Sequence, residues 1–391
     1  MRKATLVSLL TSAAMIAMPI VASAQVNDTT VINSGDHATV NSSTNQNSAV
    51  NVSNSNTAVV SQTVDASANT GNNSANKNIG GGSVTTGAAG VATTMGVSGN
   101  TNLTSIAAIA PVSSNTTDVV NTGDHANVNT SSNTNNSVGV ANSNFATVLE
   151  SLTGSANTGN NHANSNIGGG AVQTGPAAIT GGFNVSNLNT NGTAIGGMSG
   201  NANGLANLTG ITNTGDHATV NSSANSNSTV GVSNSNFASI FQALNGDANT
   251  GHNSANSNIG GGSVNAGGAG VGGAFNVAGV NANATGIGVS PADMSMGANL
   301  GDLVNTGDHF TANGSVNSTS TVNVANADSM FSSQSVWSHT STGYNHTNSN
   351  IGGGMVGANP ATVLSGFGVT GNTNVTSLGG FGSLATLLSW L

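Results

Sequence analysis

The sequence predicts an all-β fold: a repeat β-solenoid of stacked strand-turn-strand rungs with a short C-terminal apolar cap. Three observations predict it, namely a long sentence written four times, period-two alternation inside each copy, and a chain almost free of charge. The Gly-Asp-His triplet begins at Gly35, Gly123, Gly215 and Gly307, in steps of 88, 92 and 92 residues. The Ile-Gly-Gly-Gly run begins at Ile79, Ile167, Ile259 and Ile351 with the same steps, and the two landmarks lie 44 residues apart in every copy. Self-similarity at a fixed period marks a repeat architecture.

The chain opens with Met1-Arg2-Lys3, an apolar stretch from Ala4 to Ile20, and Ala22-Ser23-Ala24 before Gln25. A positive start, an apolar middle and an A-x-A end predict a secretory signal peptide at 1–24. A lead-in at 25–32 follows. The repeats then run 33–120, 121–212, 213–304 and, truncated, 305–378, with the cap at 379–391. Removal of the signal leaves Lys77 as the one basic residue other than histidine.

Within each repeat the first strong pattern is alternation. Val50, Val52, Asn54, Asn56, Ala58 and Val60 share one parity, as do Val138 to Val148 and Val230 to Ile240. Period two is the strand signature, because successive side chains point to opposite faces. Two Asn interrupt each apolar row. They mark either a turn, since Asn accepts left-handed backbone, or an inward ladder of stacked amides.

The NTG units punctuate. Asn69-Thr70-Gly71-Asn72-Asn73 and its copies at Asn157 and Asn249 hold residues that tolerate positive φ. They echo the NTGDH opening 36 residues earlier, which suggests a unit smaller than the long repeat. Rungs of about 18–22 residues stacked at ~4.8 Å would make a rod of roughly 80–90 Å. On that spacing, equivalent Asp-His pairs of successive repeats lie about 20 Å apart.

The Gly triplets at 80–82, 168–170, 260–262 and 352–354 have no following Lys, so a phosphate loop is excluded and a bend or close backbone packing is expected. The arms after them keep register, with Val97, Val185, Val277 and Val369 at the same steps. The four-residue length difference between the first repeat and the next falls after this motif, in a loop. At the C-terminus Leu384, Leu387, Leu388 and Leu391 mark one helical face, read as a cap over the last rung, with a secretion or docking signal as the alternative.

Composition excludes several functions. The formal net charge is −9 with three Lys and Arg, so no nucleic acid or anionic lipid surface is an expected partner. No stretch carries the ~20 apolar residues of a membrane span. There is no Cys, which removes disulfides and thiolate metal sites. Low charge with 36% hydrophobic residues argues against disorder, which pairs low hydrophobicity with high charge.

The Asp-His pairs, Asp36 and His37, Asp124 and His125, Asp216 and His217, and Asp308 and His309, are read as turn residues, Asp capping and His packing over it. Metal binding or pH sensing is the alternative. The tandem acidic nonapeptides of calcium-binding β-helices are absent. Glu150 is the one Glu, lacks a repeat counterpart, and reads as a surface residue. No catalytic constellation, metal site or cofactor is expected, and the chain is read as no enzyme.

At the NTG units the chain resembles the curlin repeats of secreted bacterial amyloid fibres. Gly71-Asn72-Asn73-Ser74-Ala75, Gly159-Asn160-Asn161-His162-Ala163 and Gly251-His252-Asn253-Ser254-Ala255 look like that family's Gly-x-Gly-Asn-x-Ala core; Gly343-Tyr344-Asn345-His346-Thr347 departs further. The flanking positions here are Asn where curlins use Gln. The resemblance implies a self-stacking fibre or matrix protein, with Asn69, Asn73, Asn157, Asn161, Asn249 and Asn253 as ladder residues.

The expected function is therefore a secreted structural repeat protein of the cell surface or extracellular matrix. It would be self-assembling or adhesive, with its own copies, other matrix or surface proteins, or glycans as partners. The alternative is a monomeric solenoid that binds glycan or ice. A regular Thr-x-Thr face would favour the latter, and Thr is scattered.

Overall fold

A computed structural model describes residues 13–18, 24–33, 36–106, 112–121, 124–198, 205–213, 216–289, 303–305 and 308–378. The described residues form strands and the turns between them. The predicted cap at 379–391 lies outside them, as does most of the predicted signal peptide.

Each repeat contributes four strands. The long ones are β3 (His37–Asn69), β7 (His125–Asn157), β11 (His217–Asn249) and β15 (His309–Ser341). Short strands follow: β4 (Gly82–Thr86), β8 (Gly170–Thr174), β12 (Gly262–Ala266) and β16 (Gly354–Ala358). The arms are β5 (Ala89–Ile106), β9 (Ala177–Met198), β13 (Ala269–Val289) and β17 (Ala361–Leu378). The lead-in strands are β2 (Ala24–Asn33), β6 (Val112–Asn121), β10 (Leu205–Asn213) and β14 (Leu303–Asn305), and β1 (Ala13–Met18) precedes them all.

Among the described residues, the strands of each repeat pair with their counterparts in neighbouring repeats, and β1 pairs with the arm strand β5. The sheets run β15-β11-β7-β3, β16-β12-β8-β4, β14-β10-β6-β2 and β1-β5-β9-β13-β17. All pairings are parallel, and the long strands match residue for residue: His37, His125, His217 and His309 at one end, and Asn69, Asn157, Asn249 and Ser341 at the other.

One repeat is therefore one rung. The expected division of each repeat into rungs of about 18–22 residues, and the rod of roughly 80–90 Å built from them, are overturned. The NTG echo that suggested a smaller unit marks the two ends of a single 33-residue strand. Four layers put first and last backbones only about 14 Å apart.

Inside a layer the arm folds back over the second half of the long strand, so β3 faces β5 and β7 faces β9. Alternation then sorts the side chains, and β7 reads strictly buried-out along most of its length. Leu152 and Ala156 pack with Val91, Ile179 and Phe183; Ala146 and Val148 with Val185 and Leu188; Val138 and Val140 with Ile195. Each cluster runs through the layers as a column of like residues. The parity predicted from the sequence is the parity observed, with Val52, Asn54 and Ala58 all buried.

The length difference between repeats falls partly elsewhere than expected. Ser98 pairs with Ser186 but Gly99 with Leu188, so one inserted residue is a β-bulge inside the arm. The remaining offset arises between the arm and β10, where Ser113 already pairs with Leu205.

Candidate functional site

The Asn pairs within the long strands make no turn. They form an amide ladder through the middle of the core. Asn54 donates to Asn142 Oδ1 at 2.8 Å, Asn142 to Asn234 at 2.9 Å, and Asn234 to Asn326 at 2.8 Å. The second Asn of each pair zigzags across the layer. Asn102 donates to Asn144 at 2.8 Å, Asn144 to Asn191 at 2.8 Å, Asn191 to Asn236 at 2.8 Å, and Asn236 to Asn283 at 2.9 Å. Asn142, Asn144, Asn191 and Asn283 are buried, and an amide has a donor for the layer on one side and an acceptor for the other. At one end Asp328 stands in this row and accepts from Asn236 and Asn283 at 3.0 and 2.7 Å.

The corner after each long strand holds further ladders. Asn73 donates to Asn161 Oδ1 at 3.0 Å, Asn161 to Asn253 at 3.0 Å, and Asn253 to Asn345 at 2.8 Å. Asn69, Asn157 and Asn249 do something different. Each Oδ1 accepts the backbone N–H two residues on, from Gly71, Gly159 and Gly251, all at 2.8 Å, so they close Asx turns instead of linking layers. The residue after each Gly is left-handed, with φ of 63° at Asn72, 64° at Asn160, 62° at His252 and 58° at Tyr344.

Asp36, Asp124, Asp216 and Asp308 sit at exposed bends before the long strands, and His37, His125, His217 and His309 begin those strands. The His rings stack at 4.7, 4.8 and 4.5 Å. The expected separation of about 20 Å between equivalent pairs is thus corrected to one strand spacing, because the repeat is one rung. No cluster of three or more His, Cys, Asp or Glu suited to a metal occurs among the described residues.

The Gly triplets stack as well, and they line an open groove of about 740 Å³ running across all four layers. Gly168 has φ of 104°, and a Cβ there would come within 2.8 Å of the Gly80 carbonyl carbon. Close backbone packing accounts for the run.

Glu150 corrects the sequence reading most sharply. It is fully buried, and it does have counterparts: Gln62, Gln242 and Gln334 occupy its place in the other layers. Gln334 donates to Gln242 Oε1 at 2.8 Å, and Gln242 donates to Glu150 Oε2 at 2.7 Å. The signal was available in the sequence, since steps of 88 and 92 residues from Glu150 land on Gln62 and Gln242.

The last layer differs from those before it, whereas Val91, Met95 and Val97 of the first layer are already buried. Val271, Phe275 and Val277 in β13 are 1%, 3% and 0% exposed. Their partners in the last layer, Val363, Phe367 and Val369, are 51%, 54% and 46% exposed. Among the described residues, β15, β16 and β17 have no strand beyond them, and neither do β3 and β4 at the other face. β1 lies along β5 from Thr101 to Ile106, where a further layer would begin. No helix among the described residues is long and apolar enough to cross a membrane.

The fold and its ladders define a class: a parallel in-register β-solenoid with one repeat per layer. Comparison with protein-family models, with curated proteins and with solved structures gives no match to this chain.

Proposed function

We propose that this chain is a secreted structural protein of the cell surface or extracellular matrix whose copies stack end to end into a fibre. The last layer of one copy receives the first layer of the next, and each copy adds four layers. The observation that carries this reading is the exposure of Val363, Phe367 and Val369 at positions buried in every inner layer. Covering them would contribute about 1 kcal/mol or more for each side chain. The same contact would extend the His, Asn and Gln columns in register. A head-to-tail contact between unlike faces generates an open filament. Loss of the signal peptide after Ala24 would remove β1 and clear the edge of β5 for the incoming copy.

Adhesion is a second property of the same object. Phe145 and Phe237 stack at 5.1 Å on the outer face of the long strands, with Leu149 and Phe241 beside them, all about 40% exposed. Stacking copies would repeat this apolar patch along the fibre. Phe237→Ser, a change toward the Ser329 found at that position in the next layer, should lower adsorption to an apolar surface without altering the far-ultraviolet spectrum. Equal adsorption would remove the patch from the account.

The reading is tested by electron microscopy and thioflavin fluorescence of residues 25–391 incubated at micromolar concentration. Unbranched, dye-binding fibres are expected. Discrete particles that never lengthen would favour the alternative, a monomeric module that binds glycan or ice.

A further inference from the structure

The column of amides at Gln62, Glu150, Gln242 and Gln334 is complete at one side of Glu150 and broken at the other. Gln334 donates to Gln242, and Gln242 to Glu150 Oε2. The next link would run from position 150 to Gln62. A Gln there would supply an N–H. Glu150 has no N–H to give, and both Glu150 Oε1 and Gln62 Oε1 are buried acceptors without a hydrogen-bond partner. The Gln62 amide nitrogen is turned away, donating to the Gly96 carbonyl at 3.3 Å. Two orphan acceptors at paired positions of adjacent strands, one of them a carboxyl oxygen, are what a missing proton leaves behind.

We propose that Glu150 is held as the neutral acid in the folded solenoid, donating its O–H to Gln62 Oε1, so that folding takes up one proton and is favoured by acid. Among the described residues the surroundings offer nothing else to neutralise a carboxylate. β5, β9 and β13, which pack over this part of the long strands, contain no titratable residue. On the paired strands, Asp65 of β3 and Asp247 of β11 lie on the exposed face, and His37, His217 and, on β7 itself, His125 sit at the distant strand starts. Among the described residues the one other inward acid is Asp328 of β15, in the neighbouring Asn column, and it is negative or neutral but never a countercharge.

Burial pushes the Glu150 carboxyl from its ordinary 4.5 up to about 7, the Gln242 hydrogen bond opposing this. The folded state therefore binds the proton more tightly than the unfolded chain. The contribution is fully present below about pH 4.5 and is lost as pH rises through about 7. The corresponding change in the unfolding equilibrium is up to about 300-fold across that window. Asp328 is raised in the same direction, again by burial, and adds to the trend.

Guanidinium unfolding of wild type, Glu150→Gln and Asp328→Asn, followed by circular dichroism between pH 4.5 and 8, tests this. Glu150→Gln installs the residue that the other three layers carry at this position, so it is compatible with the fold. The wild-type midpoint should fall as pH rises, and Glu150→Gln should flatten most of that fall and be the more stable protein at pH 8. Asp328→Asn should remove the smaller remainder. Infrared spectra of the folded wild type at pH 6 should contain a protonated carboxylic-acid carbonyl band that Glu150→Gln lacks. Parallel pH profiles for wild type and Glu150→Gln, or no such band, would overturn the proposal. Both readouts are taken on folded chain whether or not it forms fibres.

Discussion

At the scale of single residues, Asn144 illustrates what the interior amides do. It accepts from Asn102 and donates to Asn191, tying two layers and both walls of the solenoid at once. Asn144→Ala removes both links from a buried site and should cost about 2 kcal/mol, the usual penalty for stranding buried partners. Asn135, whose amide donates to Asn47 at 2.9 Å on the exposed face, is the control. Asn135→Ala should change stability by no more than about 0.5 kcal/mol. Equal effects in urea or guanidinium unfolding would mean that the inner ladder contributes no more than the outer one. This distinction was only half legible beforehand. Alternation placed Asn54 and Asn56 among inward positions, but a turn and a ladder use the same residue, and only the register between layers separates them. Glu150 looks unmatched when only another Glu counts as its counterpart, yet the amides Gln62 and Gln242 stand one period away.

At the scale of elements, the corner after each long strand fixes how closely layers approach. A Cβ added at Gly71, Gly159 or Gly251 would collide with the carbonyl oxygen of the Gly in the next layer. Gly159→Ala should therefore abolish cooperative unfolding or lower the midpoint severely, since backbone in a parallel ladder cannot yield without breaking pairs on both sides. A variant that unfolds like wild type would refute the tight corner. The strands themselves were legible as strands, and their inward faces were legible residue by residue. Their length was not. A 33-residue strand leaves the same alternation as several short ones, and the repeated NTG units looked like boundaries of a smaller unit when they are the two ends of one strand.

At the scale of the whole molecule, the period of 88 and 92 residues defined the repeat, yet the sequence said nothing of which segments pair. Parallel pairing between equivalent positions makes the protein thin along the stacking axis and wide across it. It also gives the two ends complementary register. Gly343 is the last of the corner glycines, and a Cβ there meets nothing within 4 Å. By the pattern of the inner layers, that Cβ would strike the Gly71 carbonyl of a copy docking onto the last layer. Gly343→Ala thus separates folding from assembly, which Gly159→Ala does not. The most direct measurement is seeded elongation of Gly343→Ala beside wild type, with thermal unfolding of both as soluble chain. The account predicts matching unfolding curves, fibres from wild type, and no elongation by the variant. Elongation of the variant at the wild-type rate would contradict end-to-end stacking in this register.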